Sequence, residues 1–324
     1  MKLLVTGGNG FIGSHFILEM INQGHYILNI DKSGNNTTIK QRLNKNVIKN
    51  YYFCKSNIID IDKHQKLIDE FNPEAVVHFA AETHVDISIV DPELFIKSNI
   101  FGTFSLLEFF RKRNSHKKIK FIHISTDEVY GSIDEDVIFT EETNYNPSSP
   151  YSASKAAADH ICKSWFKTYG LPTINTHCTN NFGPYQTTDK FIPKVIECIY
   201  LNKHIPVYGH GKHERDWLYV SDHVDGIKNV LIKGKPGETY NIGSQNVIDN
   251  LSLVKNICKI MDAKLKRVDG SERLIRFVED RPGHDFKYSI DPSFIHNELD
   301  WKAKTNFEDA LNITIDWYIN SFNL

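Results

Sequence analysis

Residues 6–14 read TGGNGFIGS, and this stretch decides the fold. It follows KLLV (2–5), an apolar run of strand length, and opens into SHFILEMINQG (14–24). That segment has apolar residues at helical spacing and Gly24 as its C-terminal stop. Gly7, Gly10 and Gly13 stand three apart, and Gly8, Gly10 and Gly13 satisfy G-x-G-x-x-G. Glycines at these points permit a tight turn, let a pyrophosphate approach the backbone and let the helix pack closely on the sheet. The helix start offers free N–H groups and about half a positive charge to an anion. Asp31 ends the next strand, YILNID (26–31). A carboxylate there takes a ribose 2′-hydroxyl and repels a 2′-phosphate, so the expected cofactor is NAD rather than NADP. Taken singly, the glycines read equally as a structural turn and Asp31 as a strand-end cap. The strand–loop–helix context favours the cofactor.

The alternation continues downstream. DKHQKLIDEFNP (62–73) predicts a helix stopped before Pro73, AVVHFAA (75–81) a strand, and IFGTFSLLEFFRKR (100–113) a helix. KFIHIST (120–126) and PTINTHC (172–178) read as strands flanking a helix over SPYSASKAAADHICKSWFKTYG (149–170). Short continuous apolar strands between helices predict an α/β fold with a doubly wound, parallel Rossmann-type sheet. The right-handed crossover rule fixes most of its topology. After residue 184 the pattern weakens, with Pro193, Pro206, Pro282 and Pro292, which predicts a second, smaller lobe. DWLYVSDHVDGIKNVLI (216–232) and ETYNIG (238–243) are expected to return to the main sheet. The expected division is 1–184 with 215–243 for the cofactor domain and 185–214 with 244–324 for the other. The asparagine-rich SGNN (33–36) and RLNKN (42–46) read as surface loop.

The chain has 324 residues, 40% hydrophobic, with a net charge of -2. That is enough for a sizeable core and gives no basic excess to favour nucleic acid or an anionic membrane. Five scattered cysteines (54, 162, 178, 198 and 258) form no C-x-x-C pair, so neither a disulfide framework nor a zinc site is expected. No apolar run is long enough to span a membrane or serve as a signal peptide. These features predict a soluble, cytoplasmic protein without a metal.

The strand at 120–126 ends unusually: IHISTDEVYG (122–131) carries apolar residues inward and finishes with Asp127 and Glu128 side by side. Nearby, Tyr151 and Lys155 lie four residues apart and share a helix face. An ammonium stabilises a tyrosinate. Bringing a phenol from about pH 10 to 7 needs about 4 kcal/mol, for which Lys155 and the positive nicotinamide ring are the expected sources. The product is a base that pulls a proton from a hydroxyl while hydride leaves its carbon. Y-x-x-x-K is weak alone and strong after the glycine loop and this strand.

With these motifs in place, the sequence resembles the extended short-chain dehydrogenase/reductases and, within them, the dTDP-glucose 4,6-dehydratases. The resemblance runs over nearly the whole chain. It rests on TGGNGFIGS, HFAAETHVD (78–86), HISTDEVYG (123–131), SPYSASKAAADH (149–160), TNNFGPYQ (179–186), RDWLYVSDH (215–223), ETYNIG and EDRPGHDFKYSID (279–291). STDEVYG and DRPGHD are the specific ones. The resemblance implies a Rossmann domain with a smaller substrate-binding lobe, and a homodimer formed through helices near 99–113 and 151–169. It implies NAD as cofactor and loss of water across C5–C6 of a nucleotide-linked glucose. In that scheme Tyr151 and Lys155 serve C4 oxidation, Thr126 bonds the C4 oxygen, Glu128 takes the C5 proton and Asp127 protonates the departing C6 hydroxyl. One ionised and one protonated carboxyl are thus needed together, which adjacent acids in a partly dry site provide.

The resemblance also implies cofactor contacts from Phe11, Ile12, Lys32, Ser33, Asn57, Ile58, Phe79, Ala80, Ala81 and Ser98. Substrate contacts fall to His84, Asn180, Lys190, Arg215, Asn250, Arg281, His284 and Tyr288, the cations pairing with the diphosphate. Ser98 replaces the family's usual threonine and keeps a hydroxyl, and the chain departs from the family pattern in three further places. KSGNNTT (32–38) replaces the usual loop after Asp31; Asn57 in SNIIDI (56–61) replaces an aspartate expected near the adenine amine; and YQTTDKFIP (185–193) differs beside the nucleobase. Asn57 can still accept through its carbonyl oxygen. Uracil and thymine differ by one methyl, worth about 1–3 kcal/mol, so dTDP-glucose and UDP-glucose both stay open. A nucleotide-sugar 4-epimerase shares the loop, Tyr151 and Lys155 but has no need of adjacent acids. A non-catalytic NAD-binding protein has no need of Thr126, Asp127, Glu128, Tyr151 and Lys155 together.

Overall fold

Apolar runs bounded by turns lay down twelve strands among the described residues of this computed structural model, which are 1–34, 37–43, 47–113, 119–132 and 138–322. They are β1 (Lys2–Thr6), β2 (Tyr26–Asp31), β3 (Tyr51–Lys55), β4 (Ala75–His78), β5 (Lys120–Thr126), β6 (Thr173–Cys178), β7 (Asn180–Phe182), β8 (Ile205–Tyr208), β9 (Glu214–Tyr219), β10 (Thr239–Ile242), β11 (Val247–Asp249) and β12 (Ile275–Val278). Seven form one sheet in the order β10-β6-β5-β4-β1-β2-β3, every neighbouring pair parallel. The order reverses between β1 and β4, and open α/β sheets bind ligands at such a point, beyond the strand C-termini.

Both faces of the sheet are covered, and the two-residue strand period divides them. Leu3, Val5, Ile27, Val77, Ile122 and Ile124 face helices Phe11–Asn22 and Val220–Lys233. Leu4, Leu28, Ile30, Val76 and Phe121 face helices Gly102–Arg113 and Pro150–Tyr169 on the other side. A second core, built from Phe182, Ile192, Val195, Ile196, Leu253, Ile257, Leu311 and Ile315, joins helices Phe191–Tyr200, Asn250–Leu265 and Phe307–Phe322. Small sheets β11-β9-β7 and β12-β8 edge this lobe.

β10 returns to the main sheet beside β6, and helix Val220–Lys233 covers that sheet. β9 does not return: it pairs with β7 and β11. The cause is its alternation, which sends Leu218 into the main core and Trp217 into the second, so the strand lies at the seam. Late in the chain, Ile295, Leu299 and Trp301 pack back into the main core. The asparagine-rich stretches include residues 35–36 and 44–46, which lie outside the described residues; between them Thr37–Arg42 forms a short helix. Helix Gly102–Arg113 is entered through a π-helical turn, Ile96–Phe101, which carries Ser98. Such turns gather at functional sites.

The glycine loop shows why its residues are glycine. Gly7 has φ +70°, and a Cβ there would stand 2.5 Å from Ala80 N. A Cβ on Gly13 would stand 2.6 Å from the Gly7 carbonyl oxygen, so the first helix seats directly on the turn. Gly7→Ala is expected to lower the unfolding free energy by about 1–3 kcal/mol, combining backbone strain with overpacking. Urea denaturation reads this; an unchanged midpoint would show that the β1–β4 contact yields freely.

Candidate active site

A cavity of about 490 Å³ opens over the C-terminal ends of the central strands. Every residue expected to contact the cofactor lines it, from Gly7 to Ser98 together with Tyr151 and Lys155. The first helix begins at Gly10 with no side-chain cap, so its N–H groups are available to an anion. A Cβ on Gly10 would meet only the Gly7 oxygen, at 3.2 Å. Asp31 is buried; its Oδ2 accepts from Asn9 N at 2.9 Å and its Oδ1 from Ser33 N and Oγ, both at 2.9 Å. These bonds fix the carboxylate, which retains lone pairs for ribose hydroxyls. Asn29, which the sequence reading passed over, holds the loop by accepting from Gly8 N at 3.1 Å and donating to Tyr51 OH at 2.9 Å. An open glycine loop, an uncapped helix start and a fixed strand-end carboxylate fit a dinucleotide. Asn57 Oδ1 already accepts from Ile59 N at 3.1 Å, so one lone pair remains for an adenine amine. Lys32 pairs with Glu82 across the cavity wall.

At the other end of the cavity, helix Pro150–Tyr169 is started by a capping box between Ser149 and Ser152 and lies along β5. Lys155 is 3% exposed and its Nζ donates to the Ile124 carbonyl at 2.7 Å. Burial lowers its pKa, and Asp159, one turn further on, opposes that. The Tyr151 phenol is buried beside Thr126. Burial and Glu128 raise its pKa well above the ordinary value, while the hydrogen bond with Thr126 pulls it down. Moving the phenol toward the neutral range therefore requires the charges of Lys155 and of a nicotinamide ring together to offset this burial.

The two acids differ. Asp127 is 2% exposed; its Oδ1 accepts from Thr126 Oγ1 at 3.3 Å, and its buried Oδ2 has no protein partner. Burial, then Glu128 and Asp216, raise its pKa well above the carboxylate range. Glu128 is half-buried, and burial raises it too, but Arg281, Arg215 and Lys190 all act to keep it ionised. The pair thus favours a protonated Asp127 next to an anionic Glu128.

Of the expected substrate residues, Asn180 and Lys190 line the cavity, Lys190 Nζ donating to the Thr83 carbonyl at 3.2 Å. Arg215, Arg281 and Tyr288 lie close enough to Glu128 to couple with it electrostatically. Arg281 reaches Asp86 at 3.1 Å, joining the second lobe to the helix after β4, and its buried Nε has no protein partner. Arg215 donates to the carbonyls of Glu214, Asp285 and Phe286 and stacks on Tyr288. Its terminal nitrogens thus already hold the 285–286 segment. Arg215, Arg281 and Tyr288, like His84, Asn250 and His284, are not on the cavity wall. His84 is 3.7 Å from Asp189. His284 bonds Asp280 at 2.6 Å and stacks on His213, and burial with Arg281 lowers its pKa to about 4. Asn250 begins a helix, its N–H bonded to the His213 carbonyl.

Ser125, Thr179, Asn181, Gln186 and Thr187 also line the wall; they fall inside the motifs quoted above without any spacing that marks them singly as contacts, and Thr179 Oγ1 and Gln186 Oε1 are buried without partners among the described residues. A buried polar chain supports the floor. Thr6 Oγ1 meets His78 Nδ1 at 2.7 Å, His78 Nε2 meets Thr103 Oγ1 at 3.0 Å, Thr103 donates to the Asn99 carbonyl, and Asn99 Nδ2 donates to Ser154 Oγ at 2.9 Å.

A dinucleotide cleft with a Tyr–Lys helix over a parallel sheet defines an NAD-dependent enzyme of the short-chain dehydrogenase/reductase class. The family model described as GDP-mannose 4,6 dehydratase matches residues 4–314. A dTDP-glucose 4,6-dehydratase of Xanthomonas campestris pv. campestris is 45% identical over 329 residues, covering 98% of this chain and 93% of the relative. A crystal structure of dTDP-glucose 4,6-dehydratase from Bacillus anthracis in complex with NAD superposes with a TM-score of 0.87 at 40% identity, covering 100% of this chain and 98% of that one. DesIV, a dTDP-glucose 4,6-dehydratase from Streptomyces venezuelae with NAD and TYD bound, gives 0.90 at 35% identity over 100% and 98% of the two chains. The chain belongs to the dTDP-glucose 4,6-dehydratase family, the nucleotide-sugar dehydratase branch of the extended short-chain dehydrogenase/reductases.

The raised Asp127 has a consequence for stability. Below the ordinary carboxylate pKa, folded and unfolded chains are both protonated. As pH rises, the unfolded chain releases this proton first, so the folded state loses stability until the folded pKa is passed. Asp127→Asn, which mimics the protonated acid, should therefore raise the unfolding free energy at neutral pH by on the order of 1 kcal/mol and much less near pH 4. Denaturation at both pH values checks this; a variant equally or less stable at neutral pH would contradict a protonated Asp127.

Proposed function

We propose that this protein is a dTDP-D-glucose 4,6-dehydratase that converts dTDP-glucose to dTDP-4-dehydro-6-deoxy-D-glucose. The observation that carries the reading is the juxtaposition of Asp127 and Glu128 with the Tyr151 phenol in one cavity at the end of β5, with Asp127 the more deeply buried of the two acids. NAD, when bound, supplies the acceptor for hydride from C4, its donor to C6, and a ring charge that favours the phenolate. Tyr151 takes the C4 hydroxyl proton, and Thr126, already bonded to the phenol, also steadies the C4 oxygen. The C4 carbonyl acidifies the C5 proton, which Glu128 removes and, as the hydride reaches C6, returns to C5. Asp127 gives its proton to the departing C6 hydroxyl. General acid–base groups of this kind contribute about 10²–10⁴-fold each. Lys190, Arg215 and Arg281 supply the positive charge that a diphosphate requires.

The same proposal extends to organisation. The cofactor domain comprises 1–184 with 215–243 and the substrate domain 185–214 with 244–324, although β9 pairs within the small sheet at the edge of the second lobe and 293–301 leans on the main sheet. A homodimer through helices 99–113 and 151–169 is supported by Phe101, Phe104 and Tyr169, which expose 55%, 41% and 51% of their surface. A cytoplasmic location is supported by five cysteines that are all free. Among the described residues no helix is long and apolar enough to cross a membrane.

A side-by-side assay of dTDP-glucose and UDP-glucose, with products identified by mass and NMR, tests the reading. The expected result is a 4-keto-6-deoxy product and a higher kcat/KM for dTDP-glucose, by about 10–200-fold if one methyl decides. A galactose product would overturn the dehydratase, and preference for UDP-glucose would overturn the nucleobase. Glu128→Gln should leave C4 oxidation running while elimination stalls, so that enzyme-bound NADH accumulates. Loss of all NADH formation in that variant would reassign Glu128.

A further inference from the structure

The machinery for oxidation sits on one element and that for elimination on another. Tyr151 and Lys155 ride on helix Pro150–Tyr169, while Asp127 and Glu128 form a 3-10 turn, Asp127–Tyr130, after β5. The turn's local ties are few: Glu128 N to Thr126 Oγ1 and Gly131 N to the Glu128 carbonyl are both long at 3.3 Å, and Asn146 N meets the Val129 carbonyl at 3.0 Å. Its last residue, Tyr130, is 2% exposed, and its hydroxyl meets His177 Nδ1 at 2.7 Å and donates to Asn241 Oδ1 at 3.1 Å. His177, in β6, is fully buried; its Nε2 is 3.1 Å from Asp159 Oδ2 and 3.0 Å from Tyr145 OH. Asp159 lies at the third position of the face that carries Tyr151 and Lys155, and its Oδ2 also accepts from Ser125 Oγ at 2.9 Å. His123 Nε2 stands 3.3 Å from the other oxygen. Burial alone would raise the Asp159 carboxyl, but His123 and His177 outweigh it and hold it below the ordinary range. It is therefore a fixed buried anion facing the ammonium of Lys155.

We propose that Asp159, His177 and Tyr130 form a buried strut that sets the Asp127–Glu128 turn against the Tyr151–Lys155 helix, making Tyr130 and His177 positioning residues for elimination. The inference rests on the dehydratase reading. None of the three residues lines the cavity, so none touches the reacting sugar. The helix end of the strut is anchored independently, because Lys155 holds Ile124 and Ser154 holds Asn99. Among the described residues, the turn end is held by side-chain hydrogen bonds chiefly through Tyr130, with Val129 packed beside it against Phe139 and Ala156. Release of Tyr130 thus frees the acids and leaves the phenol in place, and a misplacement near 1 Å costs about 10²-fold in rate.

The test is a single turnover of the NAD-loaded enzyme with dTDP-glucose, following NADH absorbance and quenched product together. In Tyr130→Phe, which keeps the ring packed against Phe139, Tyr145 and His177, NADH should form within about twofold of the wild-type rate. Its decay into product should slow by about 10–100-fold, so NADH accumulates. His177→Asn, too short to bridge Tyr130 and Asp159, should show the same split and serves if the first variant does not fold. Equal slowing of both phases, or of neither, in a folded variant overturns the strut. Absence of any 4-keto-6-deoxy product from the wild type would instead overturn the dehydratase reading.

Discussion

An ammonium sealed away from water must be compensated, and that necessity organises this active site. Lys155 gives one proton to the Ile124 carbonyl and faces the Asp159 carboxylate a turn away. Both partners tie it to one stretch of β5, since Asp159 also accepts from Ser125. The helix can therefore sit on the strand in only one register, and that register puts Tyr151 beside Thr126. Isolated buried charges cost several kcal/mol, whereas a paired and hydrogen-bonded one is tolerable and positionally strict. Strictness is what hydride chemistry needs, because the reacting groups must meet in near-attack geometry.

The same strand then answers a harder demand. A β-strand that runs apolar through the core and ends in two carboxylates is costly unless one of them is neutral. Burial, Glu128 and Asp216 push Asp127 toward the neutral form, while Arg281, Arg215 and Lys190 counter the same burial at Glu128. The cations come from segments far apart in sequence, Lys190, Arg215 and Arg281. Closing the second lobe over the sheet is thus part of what separates the two acids' pKa values. Elsewhere in the cleft the chain uses backbone rather than charge: the uncapped helix start and the turn at Gly7 present amides where a pyrophosphate needs them.

Features carried by local spacing could be read from the chain alone. The glycine triplet, Asp31 at its strand end, and Tyr151 with Lys155 need only strand–loop–helix geometry to be recognised, and they all meet in one cavity. β3 was not legible, since YYFCK is a mixed, partly exposed edge strand without clean alternation. β9 was assigned to the wrong sheet because its apolar pattern is that of a strand with two buried faces, which a seam between two cores also supplies. Sequence also cannot show that burial and Glu128 act together to raise the pKa of the Tyr151 hydroxyl, against which Thr126 pulls. Nor does any local pattern announce that Asp159, His177 and Tyr130, from three different elements, form a continuous hydrogen-bonded line.

Oxidation at C4 and reduction at C6 are two halves of one cycle at this cleft, joined by the acid pair. The most direct measurement is the fate of deuterium placed on C4 of dTDP-glucose, followed by NMR and mass of the product. Recovery of the label on the C6 methyl of the 4-keto-6-deoxy sugar is the predicted result. Label retained at C4, or lost to solvent without reaching C6, would contradict it.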